Sequence, residues 1–220
     1  MTKIKAVLFD LDGTLLNTID DLGDAANYML TQFGYPTHDI ESYKYRVGNG
    51  MKKLMERSLP DGKNSEDDID RAMEIFMPYY NRHSLDKTRP YEGMHELIET
   101  LRKSGIKTAV VTNKAEQSAV GIIKRFYDGC FDVVIGQRDN MPTKPDPAGA
   151  HLAMSELGVT PDECIFMGDS GVDILTAKNS GAYPVGVLWG FRKKDELVEN
   201  GANIVISTPS ELLKVIEEIE

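Results

Sequence analysis

The distribution of apolar residues divides this chain into three stretches, and the first is a short apolar run near the N-terminus. Residues 6–9 are apolar, and Asp-Leu-Asp-Gly-Thr follows at residues 10–14. A short apolar run that stops at a turn signal is typical of a buried strand in a parallel sheet. We therefore expect a buried strand that ends at Asp10, with Asp12 in the turn beside it.

The second stretch, residues 17–86, has apolar residues at helical spacing and no strand pattern. A helix that begins near Thr18, whose hydroxyl can cap it, is predicted to end at Gly34 and Pro36. Further helices are predicted at residues 38–45, 51–59 and 65–84. Because this all-helical block separates the first strand from all the others, we interpret it as a helical domain inserted into an α/β domain.

Alternating strands and helices fill the third stretch, from residue 87 onward. Strands are predicted at residues 108–111, 133–135, 164–167, 184–187 and 204–206, and helices at residues 94–103, 116–126, 148–157, 173–179, 194–199 and 209–219. This alternation predicts a parallel sheet with right-handed crossovers. The predicted fold class is therefore α/β, with a Rossmann-like parallel-sheet core of residues 1–16 and 87–220 and a helical domain of residues 17–86.

Composition and charge narrow the class of protein. The chain has 220 residues, of which 41% are hydrophobic, so it can bury a substantial core. Its formal net charge of −10 argues against nucleic acid or an anionic membrane as the main partner, because both require clustered Lys and Arg. The sequence shows no signal peptide, no apolar run of about 20 residues and no metal-ligand spacing of its two cysteines. A cytoplasmic protein is expected.

The two acids that bracket Leu11 are the first candidate for chemistry. In open α/β sheets, ligands bind outside the carboxyl ends of the strands, so Asp10 and Asp12 should lie at the mouth of the sheet. Two acids this close repel each other unless a cation or a shared proton separates them. Mg²⁺, a hard cation that prefers oxygen ligands, fits this position. The alternative is an ordinary Asp-Gly turn with a solvated acid.

Two further segments that follow strands carry polar groups. Thr112 and Asn113 come just before a helix, where free N–H groups and the helix dipole favour an anion such as phosphate; the alternative is an ordinary helix cap. Pro145 restricts the backbone of Lys144, so this lysine can act as a fixed point charge against phosphate oxygens. The alternative for Lys144 is a solvated loop residue.

The strand at residues 164–167 is followed by Gly168 and then by an acid. Asp169 comes next along the chain, and Asp173 lies one helical turn later, which places both carboxylates on one side. Stabilisation of the helix dipole is the alternative role for Asp173, but it explains Asp169 less well. Together these strand ends supply a nucleophile, an acid/base, metal ligands and anion-stabilising donors, which are the groups that phosphoryl transfer through an aspartyl-phosphate requires.

The sequence resembles the phosphatases of the haloacid dehalogenase superfamily over essentially its whole length. Four segments match the motifs of that family in order: residues 10–14, 112–113, 144–147 and 168–173. The resemblance implies a haloacid dehalogenase-like core in which the helical insert is an α-helical cap domain. It also implies a Mg²⁺-dependent phosphoric monoester hydrolase that acts on a small phosphorylated metabolite, as a monomer or a homodimer.

The resemblance further implies a role for each motif residue. Asp10 is the expected nucleophile, and Asp12 is expected to protonate the leaving oxygen and then to activate water. The expected Mg²⁺ ligands are Asp10, Asp169 and the backbone carbonyl of Asp12, with Asp173 supporting or joining them. The other motif side chains are expected to hold the phosphoryl oxygens: Thr112, Lys144 and, as a lesser candidate, Asn113.

Two segments of the helical block, residues 19–22 and 47–50, are similar to cap segments of phosphoglycolate phosphatases. Glycines 48 and 50 allow close backbone approach, and Arg46 and Asn49 are candidate donors to a small carboxylate such as that of phosphoglycolate. The segment 46–50 is therefore the expected substrate-binding part of the cap. For Arg46, the alternative is a flexible turn with the side chain in solvent.

Other functions are also compatible with these motif residues. A phosphomutase similar to β-phosphoglucomutase, or a pyrophosphatase, would use the same core motifs. A phospho-receiver domain also places acids, Thr and Lys around a phosphorylated Asp, but the chain length, the helical insert and Asp12 argue against it. Asp12 also argues against a dehalogenase, which does not need the second carboxylate.

Overall fold

Residues 3–219 are described by a computed structural model, in which the predicted strands of the α/β part form one six-stranded sheet. The strands are β1 (Ala6–Phe9), β4 (Lys107–Ala115), β5 (Val133–Gln137), β6 (Cys164–Gly168), β7 (Tyr183–Val187) and β8 (Ile204–Ile206). Their spatial order is β5-β4-β1-β6-β7-β8, and neighbouring strands pair in parallel. The predicted α/β class with a parallel-sheet core is confirmed.

Strand β1 lies in the middle of the sheet because it is apolar on both faces. Val7 and Phe9 belong to one hydrophobic cluster, and Ala6 and Leu8 belong to another. Successive side chains of a strand point to opposite faces, so each face needs its own cover. Helices α5 (Met94–Lys103), α6 (Glu116–Phe126) and α10 (Glu211–Ile219) contribute to the first cluster, and α7 (Ala148–Leu157) and α8 (Gly171–Ser180) to the second. Helix α9 (Lys194–Glu199) follows β7.

The helical block forms a unit of its own. One unit consists of the chain up to Leu16 and from Pro90 onward, and the other is Asn17–Arg89. In the second unit, α1 (Ile19–Gln32) packs against α2 (Ile40–Tyr43), α3 (Met51–Ser58) and α4 (Glu66–His83). No helix within residues 3–219 has the length and apolar character that crossing a membrane requires.

Two details of this unit differ from the sequence pattern. Thr18 does not cap α1: the Asn17 side chain accepts from the backbone N–H of Ile19 at 3.3 Å, and the buried Thr18 hydroxyl has no hydrogen-bond partner. Two short strands, β2 (Leu16–Asn17) and β3 (Arg89–Pro90), pair where the chain passes between the units. Two residues are too few to show a periodic pattern, so the sequence does not reveal these strands.

Candidate active site

The segment after β1 folds back on itself at the carboxyl end of the sheet. The Asp10 N–H continues the pairing of β1 with β6 by donating to Met167 O at 3.0 Å. The Leu11 carbonyl then accepts from the N–H groups of Leu15 and Leu16, both at 3.0 Å. Gly13 has φ +92° and a Cβ there would overlap the Asp169 carboxylate, so this turn requires glycine.

Three buried carboxylates converge beside this turn. Asp10 follows β1, Asp169 follows β6, and Asp173 lies in the first turn of α8; one oxygen from each lies within 4.8 Å of the others. Asp173 also caps its helix, because its Oδ2 accepts from Ser170 N at 3.0 Å and from Ser170 Oγ at 2.6 Å. The parallel topology thus brings Asp10 together with two acids that follow it by more than 150 residues.

Lys144 lies against this cluster. Its Nζ is 2.7 Å from Asp10 Oδ1 and 2.6 Å from Asp173 Oδ1, and the side chain is 5% exposed. The ammonium therefore gives two of its three N–H donors to the two carboxylates. These contacts and this burial exclude the alternative of a solvated loop lysine for Lys144.

Burial and mutual repulsion change the protonation of these groups. Burial, followed by the Asp173 charge, raises the pKa of Asp10 to about 7 against the opposing effect of Lys144. Burial, followed by the charges of Asp173 and Asp10, raises the pKa of Asp169 well above its usual value. Burial alone would lower the pKa of Lys144, but the two carboxylates raise it above its usual value. One lysine does not balance three carboxylates, so the cluster favours a further cation.

The donor set fits a hard divalent cation. Its three side chains offer carboxylate oxygens, which Mg²⁺ prefers. Two glycines keep space beside Asp169, since a Cβ on Gly13 or on Gly190 would overlap its carboxyl group. The Asp12 carboxylate is not in this cluster, and the expected contribution of the Asp12 backbone carbonyl stays a prediction.

The Asp12 carboxylate instead pairs with a lysine that the sequence analysis does not single out. Lys114 Nζ lies 3.0 Å from Asp12 Oδ1 and 3.2 Å from Oδ2. The Lys114 side chain is fully buried, whereas that of Asp12 is 19% exposed. A lysine within a strand, three residues after its apolar part, is the sequence feature that could have identified it.

The end of β4 supplies three adjacent polar residues with different contacts. Thr112 Oγ1 accepts from Lys114 N at 3.2 Å. Asn113 binds both backbone groups of Lys144: its Oδ1 accepts from Lys144 N at 2.8 Å, and its Nδ2 donates to Lys144 O at 3.2 Å. The side chain of Asn113 thus holds the backbone of Lys144, and its expected contact with substrate stays a prediction.

A loop after β7 also supports the acids. Phe191 N donates to Asp169 Oδ2 at 2.7 Å, and Trp189 Nε1 donates to Thr14 O at 2.9 Å. The Thr14 hydroxyl lies 3.5 Å from Asp169 Oδ1. This loop could not be predicted from the sequence, because it contacts Asp169 through a backbone N–H, which residue type does not reveal.

The segment 46–50 belongs to the helical unit, where Arg46 has internal partners. Its Nε donates to Arg57 O at 3.1 Å, its Nη1 donates to Ser42 O at 2.9 Å, and its Nη2 lies 3.4 Å from His38 Nδ1. Arg46 therefore joins neighbouring segments of the unit, and its role as a donor to substrate stays a prediction.

The remaining residues of this segment have a defined backbone. Asn49 Oδ1 accepts from Arg57 Nη2 at 2.9 Å. Gly48 and Gly50 have φ of 110° and 85°, and Gly50 is the residue before α3. A substrate-binding role for Gly48, Asn49 and Gly50 stays a prediction.

Comparison with known proteins gives a consistent picture. Residues 7–187 match the family described as haloacid dehalogenase-like hydrolase. The chain is 34% identical to a phosphoglycolate phosphatase of Pseudomonas putida, over 96% of this chain and 79% of that protein. It is also 34% identical to a phosphoglycolate phosphatase of Nitrosospira multiformis, over 98% of this chain and 96% of that protein.

Solved structures agree with these relatives. A candidate phosphoglycolate phosphatase from Lactobacillus delbrueckii subsp. bulgaricus superposes with a TM-score of 0.93 at 32% identity, covering 98% of this chain and 99% of that one. A candidate phosphatase from Clostridium acetobutylicum gives a TM-score of 0.88 at 26% identity, covering 99% and 100%. The chain therefore belongs to the haloacid dehalogenase-like hydrolases and is a phosphatase of that family, a phosphoric monoester hydrolase that acts on small phosphorylated substrates.

Proposed function

We propose that the protein is a Mg²⁺-dependent phosphatase that hydrolyses phosphoglycolate, or a similarly small phosphate monoester, through an aspartyl-phosphate on Asp10. The observation that carries this proposal is the contact of one buried lysine, Lys144, with the Asp10 carboxylate inside a cluster of three acids. A carboxylate held beside a fixed positive charge suits attack on a phosphoryl group, whose own charge the lysine offsets.

Two steps would complete the reaction. In the first, an Asp10 oxygen attacks phosphorus, the bond from phosphorus to the ester oxygen breaks, and protonated Asp12 gives its proton to that oxygen. In the second, water attacks phosphorus, Asp12 takes a proton from that water, and the bond between Asp10 and phosphorus breaks to release phosphate. Asp12 can exchange protons because its side chain stays partly exposed, outside the acid cluster.

Other groups would act on the phosphoryl oxygens. Lys144 has one N–H beyond the two that its carboxylate partners accept, and Thr112 supplies a hydroxyl at the end of β4. Asp10, Asp169 and Asp173, with the backbone carbonyl of Asp12, would hold Mg²⁺. When bound, the ion supplies charge stabilisation to the phosphoryl group.

The choice of phosphoglycolate is supported by the names of the relatives, since phosphoglycolate phosphatases are 34% identical over nearly the whole chain. The core motifs contact only the phosphoryl group, the metal and the leaving oxygen, so they do not select among esters. Selection by the helical unit, as a cap, is part of the proposal.

A panel of phosphate compounds tests this function. Purified protein is assayed with phosphoglycolate, para-nitrophenyl phosphate, pyrophosphate and hexose phosphates, with Mg²⁺ and after exhaustive chelation. We expect the highest kcat/KM for phosphoglycolate, no isomerisation of hexose phosphates, and loss of activity on chelation that added Mg²⁺ restores. If phosphoglycolate is no better than the aryl ester, the substrate assignment fails; full activity after chelation contradicts the metal requirement.

A further inference from the structure

A fully buried lysine outside the four sequence motifs contacts the carboxylate next to the nucleophile. Lys114 Nζ lies 3.0 and 3.2 Å from the two oxygens of Asp12. An ammonium group buried without a partner is costly, so Lys114 stays with the carboxylate it contacts. Because both Asp12 oxygens are engaged, the ion pair restricts rotation of the Asp12 carboxyl group.

The backbone also fixes Lys114 in place. The residue lies near the end of β4, where the pairing of β4 with β5 shifts register between Val111 and Ala115. Its N–H donates to Thr112 Oγ1 at 3.2 Å. Lys114 is therefore held through its backbone by one candidate site residue and through its side chain by another.

Two adjacent residues of β4, Asn113 and Lys114, contact different groups of the site. Asn113 holds the backbone of Lys144, while Lys114 contacts Asp12. Successive side chains of a strand point to opposite faces, so two adjacent residues reach two different groups. Substitution of either residue should thus disturb a different part of the reaction.

We propose that Lys114 is a positioning residue for Asp12: it holds the Asp12 carboxyl group where the proton transfers to the leaving oxygen and from water take place. This inference rests on the proposed role of Asp12 as acid and base. If Lys114 does not position Asp12, the ion pair has only a structural role. The two possibilities predict different dependences of kcat/KM on the leaving group.

The dependence of activity on the leaving group separates them. Protonation of the leaving oxygen matters more as the leaving group becomes more basic. For Lys114→Met we expect kcat/KM to fall at least about tenfold for phenyl phosphate and less than about threefold for 2,4-dinitrophenyl phosphate. Asn113→Ala, which acts through Lys144, should reduce kcat/KM for both esters by a similar factor.

A double-mutant cycle with Asp12→Ala makes the test specific, using phenyl phosphate, the ester for which Lys114→Met alone should lower kcat/KM at least about tenfold. If Lys114 acts through Asp12, then Lys114→Met in the Asp12→Ala background changes kcat/KM by less than about twofold. Should the methionine variant fail to fold, Lys114→Gln, which keeps a hydrogen-bond donor, goes through the same cycle.

The outcomes distinguish this inference from the proposed function. Additive losses in the cycle, or equal losses of Lys114→Met for both esters, overturn the positioning role. If Asp12→Ala lowers kcat/KM equally for both esters, the proposed acid role of Asp12 is wrong. If the loss for Asp12→Ala is larger for phenyl phosphate and the loss for Lys114→Met is equal for both esters, only the inference about Lys114 is overturned.

Discussion

At the scale of single residues, Lys144 is a buried cation in contact with the acid cluster. It binds two of the three clustered acids, and Asn113 fixes its backbone on both sides. A lysine that is already oriented costs no reorganisation when charge develops on a transferring phosphoryl group.

Replacement of this lysine by alanine should therefore slow the reaction strongly. Removal of one preorganised donor typically costs about 2.7–4 kcal/mol, so we expect Lys144→Ala to lower kcat by about a hundredfold to a thousandfold. Steady-state kinetics with para-nitrophenyl phosphate measure the change. Lys103→Ala is the matched control, since Lys103 is exposed and pairs with Glu99 on the surface. A loss below about threefold contradicts the assigned role.

The raised pKa of Asp169 leads to a prediction about stability without metal. An acid whose pKa is higher in the folded than in the unfolded protein favours folding below its unfolded pKa, about 4, and this contribution is lost as pH rises towards the folded pKa. Asp169→Asn removes the buried charge and keeps the shape, and its amide can bond the Thr14 hydroxyl. In a chelator, we expect the variant to melt a few degrees above the parent at pH 8, with a smaller difference at pH 4.5.

Thermal unfolding followed by circular dichroism at both pH values measures this effect. The same experiment with excess Mg²⁺ serves as the control, because metal binding should stabilise the parent protein alone. A lower melting temperature of the variant at pH 8 in chelator would show that the acid stabilises the metal-free fold.

At the scale of the elements, an acid near the start of α1 connects the two ends of the helical unit. The buried carboxylate of Asp21 accepts from Lys87 N at 3.0 and 3.1 Å and from Thr88 N at 2.8 Å. Its contacts thus join the beginning and the end of this unit. These bonds could not be predicted from the sequence, because their donors are backbone groups more than 60 residues away.

Substitution of Asp21 should consequently destabilise the protein. Asp21→Ala leaves two backbone N–H groups without their charged acceptor, which we expect to cost about 2–4 kcal/mol of unfolding free energy. Asp24→Ala is the control on the same helix, since Asp24 forms a half-exposed pair with Lys87 and should cost less than about 1 kcal/mol. Urea unfolding measures the free energy of unfolding of both variants, and an unchanged m-value shows that the values can be compared. Equal costs for the two variants would contradict this account.

Most elements of the core could be predicted from the sequence. The spacing of apolar residues and the positions of turn residues indicate the same element bounds there. β1 and α5 to α7 match the predicted positions closely, and acids at the ends of β1 and β6 reveal the acid cluster. What escapes prediction depends on long-range contacts: the partner of a carboxylate, as for Lys114 and Asp12, or a backbone donor, as for Phe191. Residue type also does not show whether Arg46 points to substrate or to its own unit.

At the scale of the whole molecule, the protein has a net charge of −10 but is assigned an anionic substrate. Two buried lysines, Lys114 and Lys144, place positive charges beside the acids of the site, and the acids that they leave unbalanced favour a further cation. The parallel sheet makes this possible because the ends of β1, β4 and β6 meet at one edge. The fold thus gathers groups from across the chain that the sequence keeps apart.

The helical unit carries the remaining prediction, which concerns substrate selection. Gly50→Val should lower kcat/KM for phosphoglycolate at least about tenfold more than for para-nitrophenyl phosphate, if segment 46–50 contacts the substrate's carboxylate. Gly62→Val is the matched control, because Gly62 also has a positive φ and lies in the same unit, outside that segment. Equal effects on both esters, or equal effects of the two variants, would limit this segment to a structural role.

Acid-quench mass spectrometry can detect the proposed phosphoryl group on Asp10 itself. Asp12→Ala is mixed with 2,4-dinitrophenyl phosphate and Mg²⁺, because this ester needs no acid in the first step while hydrolysis of the intermediate lacks its base. We predict that one phosphoryl group accumulates on the peptide that contains Asp10, and that Asp10→Asn abolishes it. Release of the phenol without any modified peptide, or a phosphoryl group on another residue, would contradict the account.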